Sequence, residues 1–209
     1  MIYGIIGGQG SGKSILLTRI MLQDIFGGNK VFSNMKINIK DKSKADNFFV
    51  LSSIKDLLEN DDIKHSSVCI DEANLWGLDS RNSGKKENIR ISTELCQQIR
   101  KRHINFYYTT QRFGKVDKRL RDETDVILRC EKYRLIDKNK IERIIDSVWL
   151  DKSIPVVVKV EALYLDLDKS TSFSFIANPL YDLYDTEEIQ KSQYDVLEDD
   201  KKQTKLKGV

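Results

Sequence analysis

The stretch Gly7-Gly8-Gln9-Gly10-Ser11-Gly12-Lys13-Ser14 fits G-x-x-x-x-G-K-[ST], the phosphate-binding loop, and it dictates much of what surrounds it. An apolar run, Ile2 to Ile6, enters it as an expected buried strand, and Ile15 to Phe26 leaves it as an expected helix. Its glycines permit the φ > 0 turns and close backbone approach that let successive N–H groups converge on phosphate oxygens. Gly8, Gln9, Gly10, Ser11, Gly12, Lys13, Ser14 and Ile15 therefore form the expected cradle for the phosphates of a nucleotide. Lys13 supplies positive charge to those phosphates, the Ser14 hydroxyl is the expected Mg²⁺ ligand, and the new helix points its positive end at the same place. A glycine-rich strand-to-helix turn without a ligand is the alternative, and the flanking strand and helix weigh against chance.

The frame fits an α/β protein. A chain of 209 residues with 40% hydrophobic content can bury a sizeable core, as one large domain or two small ones. No run approaches the roughly 18 apolar residues of a membrane span, and the N-terminus reads as a core strand, so an intracellular protein is expected. Cys69, Cys96 and Cys130 lack C-x-x-C spacing and read as small buried hydrophobes; His65 and His103 offer no metal pattern. A net charge of +3 is too small to argue for nucleic acid without a clustered distribution.

Along the chain, Leu17, Met21 and Ile25 mark one face of the first helix, which Gly27-Gly28 stops. Lys30 to Ser33 reads as a second strand, Lys36 to Lys40 as a polar strand or loop, Asp41 to Asn47 as exposed, and Val50 to Leu58 as a helical segment. Ser67 to Ile70 is a short apolar strand ending in Asp71-Glu72-Ala73. A carboxylate at that strand end lies beside the phosphate loop in an open α/β sheet. Asp71 is then expected to hold the Mg²⁺ shell, and Glu72 to orient or deprotonate the attacking water. Arg81, in the polar loop Asp79 to Lys86, reads either as an arginine reaching a phosphate in its own or a neighbouring subunit, or as a solvated charge. Ile91, Leu95 and Ile99 mark another helix. Ile104 to Gln111 follows as a strand whose end places Gln111 near the γ-phosphate or the water.

In this order the motifs resemble the Zot-like ATPases of the FtsK/HerA superfamily, over roughly Ile2 to Arg129. The phosphate loop, Asp71-Glu72-Ala73, Asp79-Ser80-Arg81, Arg100-Lys101-Arg102-His103, Thr109-Thr110-Gln111 and Asp117-Lys118-Arg119-Leu120-Arg121 carry the likeness, with Leu183-Tyr184-Asp185-Thr186 as a closing element. The resemblance implies a RecA-like parallel sheet and a homo-oligomeric ring, a hexamer being one option, that moves DNA using ATP and Mg²⁺. It also implies an arginine supplied across a subunit boundary, Arg81 first and Arg119 or Arg121 behind it. Unlike filamentous-phage Zot proteins, the sequence shows no transmembrane segment after this region, which favours a soluble packaging motor over a membrane-anchored assembly role.

Between Arg100 and Arg121, Asp117 is the one acidic residue among many basic ones, and Tyr107, Tyr108 and Phe113 are interleaved. Arg112, Lys115 and Lys118 are the candidate DNA contacts; a basic face pairing with a neighbouring subunit is the equal alternative. Beyond Asp125 the chain reads as β-rich. Strands are expected at Val126 to Arg129, Ile144 to Leu150, Val156 to Tyr164 and Phe173 to Ile176, the last after a turn at Asp168-Lys169-Ser170. Their short connections predict antiparallel strands extending a mainly parallel sheet flanked by helices. Residues 1–186 form the expected ATPase domain and 187–209 a flexible charged tail, either solvated or touching a capsid or membrane protein of a particle. The combined expectation is a DNA-translocating ATP hydrolase of viral genome packaging, in the host cytoplasm or with the virion. Filamentous-particle assembly, a conjugation or plasmid DNA pump, a small-molecule kinase and a non-hydrolysing nucleotide switch are the alternatives.

Overall fold

The computed structural model describes residues 1–82, 86–137, 140–143 and 154–183. Its strands are β1 (Ile2–Ile6), β2 (Val31–Ser33), β3 (Phe48–Val50), β4 (Ser67–Ile70), β5 (Asn105–Thr110), β6 (Val126–Asp137), β7 (Lys140–Arg143), β8 (Val156–Tyr164) and β9 (Lys169–Ile176). The helices are α1 (Lys13–Phe26), α2 (Lys42–Ala45), α3 (Ile54–Glu59), α4 (Lys86–Lys101) and α5 (Lys118–Asp122).

One nine-stranded sheet runs β3-β2-β4-β5-β1-β6-β8-β9, with β7 joined to β6. All pairs from β3 to β6 are parallel, and β6–β7, β6–β8 and β8–β9 are antiparallel, as the short C-terminal connections predict. A parallel sheet is stable when both its faces are covered, and both are. On one face Ile5, Cys69, Leu128, Val158 and Val160 pack with Ile15, Leu16, Leu17, Met21 and Ile25 of α1. On the other, Ile2, Val68, Ile70, Phe106 and Tyr108 pack with Ile54 and Leu57 of α3 and with Leu95, Cys96 and Ile99 of α4. Each such fully buried Leu or Ile is worth about 1.5–3 kcal/mol of transfer free energy. All three cysteines are buried and free, as their spacing predicts.

Register gathers the sequence's separate motifs at one edge. Ile6 pairs with Thr110, and Ile70 with Tyr108, so the carboxyl ends of β1, β4 and β5 finish side by side. The phosphate loop, Asp71 and Gln111 follow those three ends, at the edge where open α/β sheets bind ligands.

Several boundaries differ from expectation. The helix expected from Val50 begins at Ile54, because Ser53 and Asp56 form a capping box there, and Val50 instead ends the short edge strand β3. β6 continues eight residues past Arg129, to Asp137, since Glu131, Lys132 and Arg134 interrupt its apolar alternation without ending its pairing to β8. β9 starts already at Lys169, with Asp168 at φ 46° in the turn before it. Leu180 and Tyr181, in the turn Asn178–Leu183, pack on the α1 face, and Asn38 N–H donates to Leu183 O at 2.7 Å. The strand expected at Ile144 to Leu150, the Tyr184-Asp185-Thr186 end of the closing element and the tail 187–209 lie outside the described residues.

Candidate active site

Two glycines of the loop have steric reasons to be glycine. Gly12 caps α1 at φ 94°, and a Cβ there would sit 2.8 Å from Val158 Cγ2. A Cβ on Gly7 would lie 2.8 Å from the Cys130 carbonyl. The loop is thus wedged between α1 and the β6–β8 pair, and its backbone N–H groups are held at the start of a 14-residue helix. The Ser11 hydroxyl is buried with no hydrogen-bond partner, an orphan that a phosphate oxygen in the loop would satisfy. Lys13 is 7% exposed and its ammonium donates to Gly8 O at 2.9 Å. Burial lowers its pKa, while Glu72 and Asp71 beside it oppose that shift.

Asp71 is the best-anchored group of the site. Ser14 Oγ donates to both of its carboxylate oxygens, at 3.2 and 3.0 Å, and Thr109 Oγ1 donates to Oδ1 at 2.6 Å. Asn34 clamps its backbone from both sides, accepting from Asp71 N–H at 2.8 Å and donating to Asp71 O at 2.9 Å. One hydroxyl and one carboxylate converging from two elements suit Mg²⁺, which takes few protein oxygens and completes its shell with phosphates and water. No cluster of three His, Cys, Asp or Glu occurs among the described residues, so an all-protein metal cage is not the arrangement seen there.

Glu72 sits at φ 50°, a left-handed conformation uncommon for a residue with a side chain, and its N–H donates to Thr109 Oγ1 at 2.9 Å. Such conformations persist where surrounding structure over-determines them, here the clamped Asp71 before it and Ala73 N–H bonded to Thr109 O at 3.0 Å after it. Burial and the neighbouring Asp71 charge raise the Glu72 pKa, while Lys13, Gln111 and Lys115 pull it down. Lys13, Ser14, Asp71, Glu72 and Gln111 therefore meet at one place, as the motif order predicts.

Asn34 and Thr109 were not identifiable as Asp71 partners. Asn34 follows a three-residue strand with no motif around it, and Thr109 sits inside an apolar β5 face. Thr109→Val keeps the shape but removes the donor to Asp71 and the acceptor for Glu72 N–H. Leaving a buried group unpaired costs about 1–3 kcal/mol, at about 2–4 °C of Tm per kcal/mol for a chain of this size. Thermal unfolding should show that loss together with slowed ATP turnover, and Thr109→Ser should restore both. An unchanged Tm and turnover in Thr109→Val would remove Thr109 from the site.

The basic stretch divides into structural and free members. Arg100 pairs with Glu123, and Arg102 binds Leu57 O, Leu58 O, Asn60 O and Asp61 at the end of α3. Arg119 Nη1 lies 3.3 Å from Asp117, and the Arg121 Nε is buried without a hydrogen-bond partner. Arg112, Lys115 and Lys118 are exposed on the segment that follows Gln111, with no ion pair among the described residues. Arg81 is 83% exposed and its Nη2 lies 2.6 Å from Asp79. Burial alone would raise the Asp79 pKa, but hydrogen bonds from Arg81 and the charges of Arg81 and Lys115 outweigh it and hold the carboxyl below its ordinary value. Asp117 N–H donates to Leu78 O at 2.8 Å and Asp79 bridges Val116, so the Arg81 loop and the basic segment are tied together. No described helix is long and apolar enough to cross a membrane.

Comparison with known proteins places the fold. No protein-family model and no curated protein matches the chain. Among solved structures, the N-terminal domain of zonular occludens toxin from Neisseria meningitidis is 21% identical at TM-score 0.52, over 88% of this chain and 98% of that one. The genome packaging NTPase B204 from Sulfolobus turreted icosahedral virus 2, in complex with ATP-gammaS, is 10% identical at TM-score 0.54, over 82% and 95%. A KaiC-like protein from Pyrococcus horikoshii OT3 is 12% identical at TM-score 0.54, over 84% and 83%. The fold is that of the RecA-like P-loop NTPases, and the structural likeness falls on the same kinds of protein that the motif order resembles.

Proposed function

We propose that the chain is a Mg²⁺-dependent ATP hydrolase whose turnover drives DNA through a homo-oligomeric ring, as in the packaging of a viral genome. One observation carries this reading. Gln111, which lies close enough to Glu72 to lower its pKa, and the exposed Arg112, Lys115 and Lys118 belong to the same short segment after β5. A change at the γ-phosphate is then felt within a few residues of a basic surface suited to a phosphate backbone.

In the reaction, ATP lies along the loop with its β- and γ-phosphates on the backbone N–H groups and the Lys13 ammonium. Ser14 and Asp71 would hold Mg²⁺, which would supply positive charge to the phosphates. Glu72, aimed by its left-handed backbone with Gln111 close by, orients a water opposite the β–γ bridging oxygen and takes its proton. The water oxygen bonds to γ-phosphorus, the bond to the bridging oxygen breaks, and ADP and phosphate result. A carboxylate paired with an amide suits the activation of water, whereas a small-molecule kinase must keep water out. A second reading, particle assembly without DNA stimulation, draws on the likeness to the zonular occludens toxin domain, 98% of which aligns.

Steady-state ATP hydrolysis with Mg²⁺, with and without double-stranded DNA across a salt series, separates the two. Stimulation by DNA is expected, and it should weaken as salt rises because each neutralised phosphate releases counterions. Hydrolysis indifferent to DNA at every salt concentration would overturn the motor reading in favour of particle assembly.

A further inference from the structure

Lys132 is a buried residue whose ammonium has no partner among the described residues. It is 8% exposed, it makes no ion pair or hydrogen bond with any described residue, and burial alone depresses its pKa. Lys13, equally buried, has the Gly8 carbonyl and two carboxylates beside it. Its ammonium is not among the fully buried unpartnered atoms, so it stays open at the end of a buried stem, where an anionic ligand can reach it.

Its position says which ligand. Alternation along β6 puts Val126, Leu128 and Cys130 on the α1 face, and Lys132 is the next residue on that face. It pairs across the sheet with Val158, the residue whose methyl group underlies Gly12 at the start of α1. Cross-strand partners stand about 5 Å apart at Cβ. The Cys130 carbonyl, two residues earlier, already touches the loop at Gly7. Arg134, two residues further along the same face, has its Nε buried without a hydrogen-bond partner. Because β1 lies between β5 and β6, the strand that carries these cations flanks the loop on the side opposite Asp71, Glu72 and Gln111. A nucleotide with its terminal phosphate at Glu72 carries its α-phosphate toward β6.

We propose that Lys132 is a nucleotide-binding residue, contacting the α-phosphate end of the bound nucleotide from the flank of the loop away from Asp71. This rests on the nucleotide site proposed above. It differs from Lys13 in what it holds: Lys132 serves ATP, ADP and AMP alike, whereas Lys13 serves the β- and γ-phosphates.

The test compares wild-type, Lys132→Met and Lys132→Arg by calorimetric titration with ATP, ADP and AMP, alongside thermal unfolding of the nucleotide-free protein. Lys132→Met should bind ATP and ADP each about tenfold more weakly and lose detectable AMP binding. The same variant should melt close to the wild-type temperature without nucleotide, because it removes no hydrogen bond or ion pair to a described residue. Lys132→Arg should recover part of the affinity. A lower melting temperature or failure to fold in Lys132→Met would make Lys132 a structural residue and overturn the proposal. Wild-type affinity in Lys132→Met would overturn it too, leaving the hydrolase reading intact. Absence of ATP binding by the wild-type protein would overturn both.

Discussion

Glu72→Gln is expected to cut ATP turnover by about 10²–10⁴-fold while nucleotide affinity stays near wild type. The substitution keeps the shape and the Gln111 neighbour but removes the carboxylate that the proposed reaction uses to accept the proton of the attacking water. Rapid-quench turnover and equilibrium ATP binding, measured on the same preparation, separate the two effects. The pH profile is a second check with a definite sign. The Glu72 pKa is raised above its ordinary 4.5, chiefly by burial and then by Asp71. A base must be ionised to act, so wild-type turnover should fall on acidification at a pH above the ordinary glutamate range. That acidic limb should vanish from the residual activity of Glu72→Gln. Undiminished hydrolysis in the variant would remove Glu72 from the chemistry.

Lys13→Ala should lose ATP affinity by roughly ten- to a hundredfold, the worth of one charge-assisted hydrogen bond of about 1.5–3 kcal/mol. It has a second consequence that a phosphate contact alone would not produce. Among the influences that lower the Glu72 pKa, the Lys13 charge is the largest. Without it, burial and Asp71 act with less opposition, and the acidic limb of whatever turnover remains at saturating ATP should move to higher pH. Calorimetric titration checks the affinity and a pH–rate series checks the limb. Normal ATP binding by Lys13→Ala would withdraw the phosphate-loop assignment, and a limb that stays put would show that Lys13 and Glu72 are not electrostatically coupled.

The two variants bracket the site. Lys13 and Glu72 lie close enough for each to shift the other's proton affinity. Asp71 differs in kind, being held by Ser14, Thr109 and Asn34 through both side chain and backbone. A group meant to hold a metal shell benefits from being immobile, and one meant to take a proton benefits from a tunable environment. Adjacent carboxylates at one strand end thus sit in different surroundings, which suit the separate tasks proposed for them.

What the amino-acid order settled by itself was local. A glycine-rich turn between an apolar strand and an amphipathic helix can be read from contiguous residues, because the φ > 0 positions, the helix stripe and the Lys13-Ser14 pair lie within one short window. The Asp71-Glu72 strand end and Gln111 were legible for a related reason: every parallel strand of such a sheet delivers its carboxyl end to the same edge, so order along the chain becomes proximity in space. Tertiary structure alone decided what depends on distant partners. It brought Asn34 and Thr109 onto Asp71, turned Glu72 into the left-handed region, and set Arg100, Arg102 and Arg119 against carboxylates and helix carbonyls while leaving Arg112, Lys115 and Lys118 in solvent. It also carried β6 on through Glu131, Lys132 and Arg134, where charges hide the strand from any periodicity argument, and so placed a lysine on the strand that flanks the phosphate loop. A charge's task follows from its burial and its partners, and both come from residues far away along the chain.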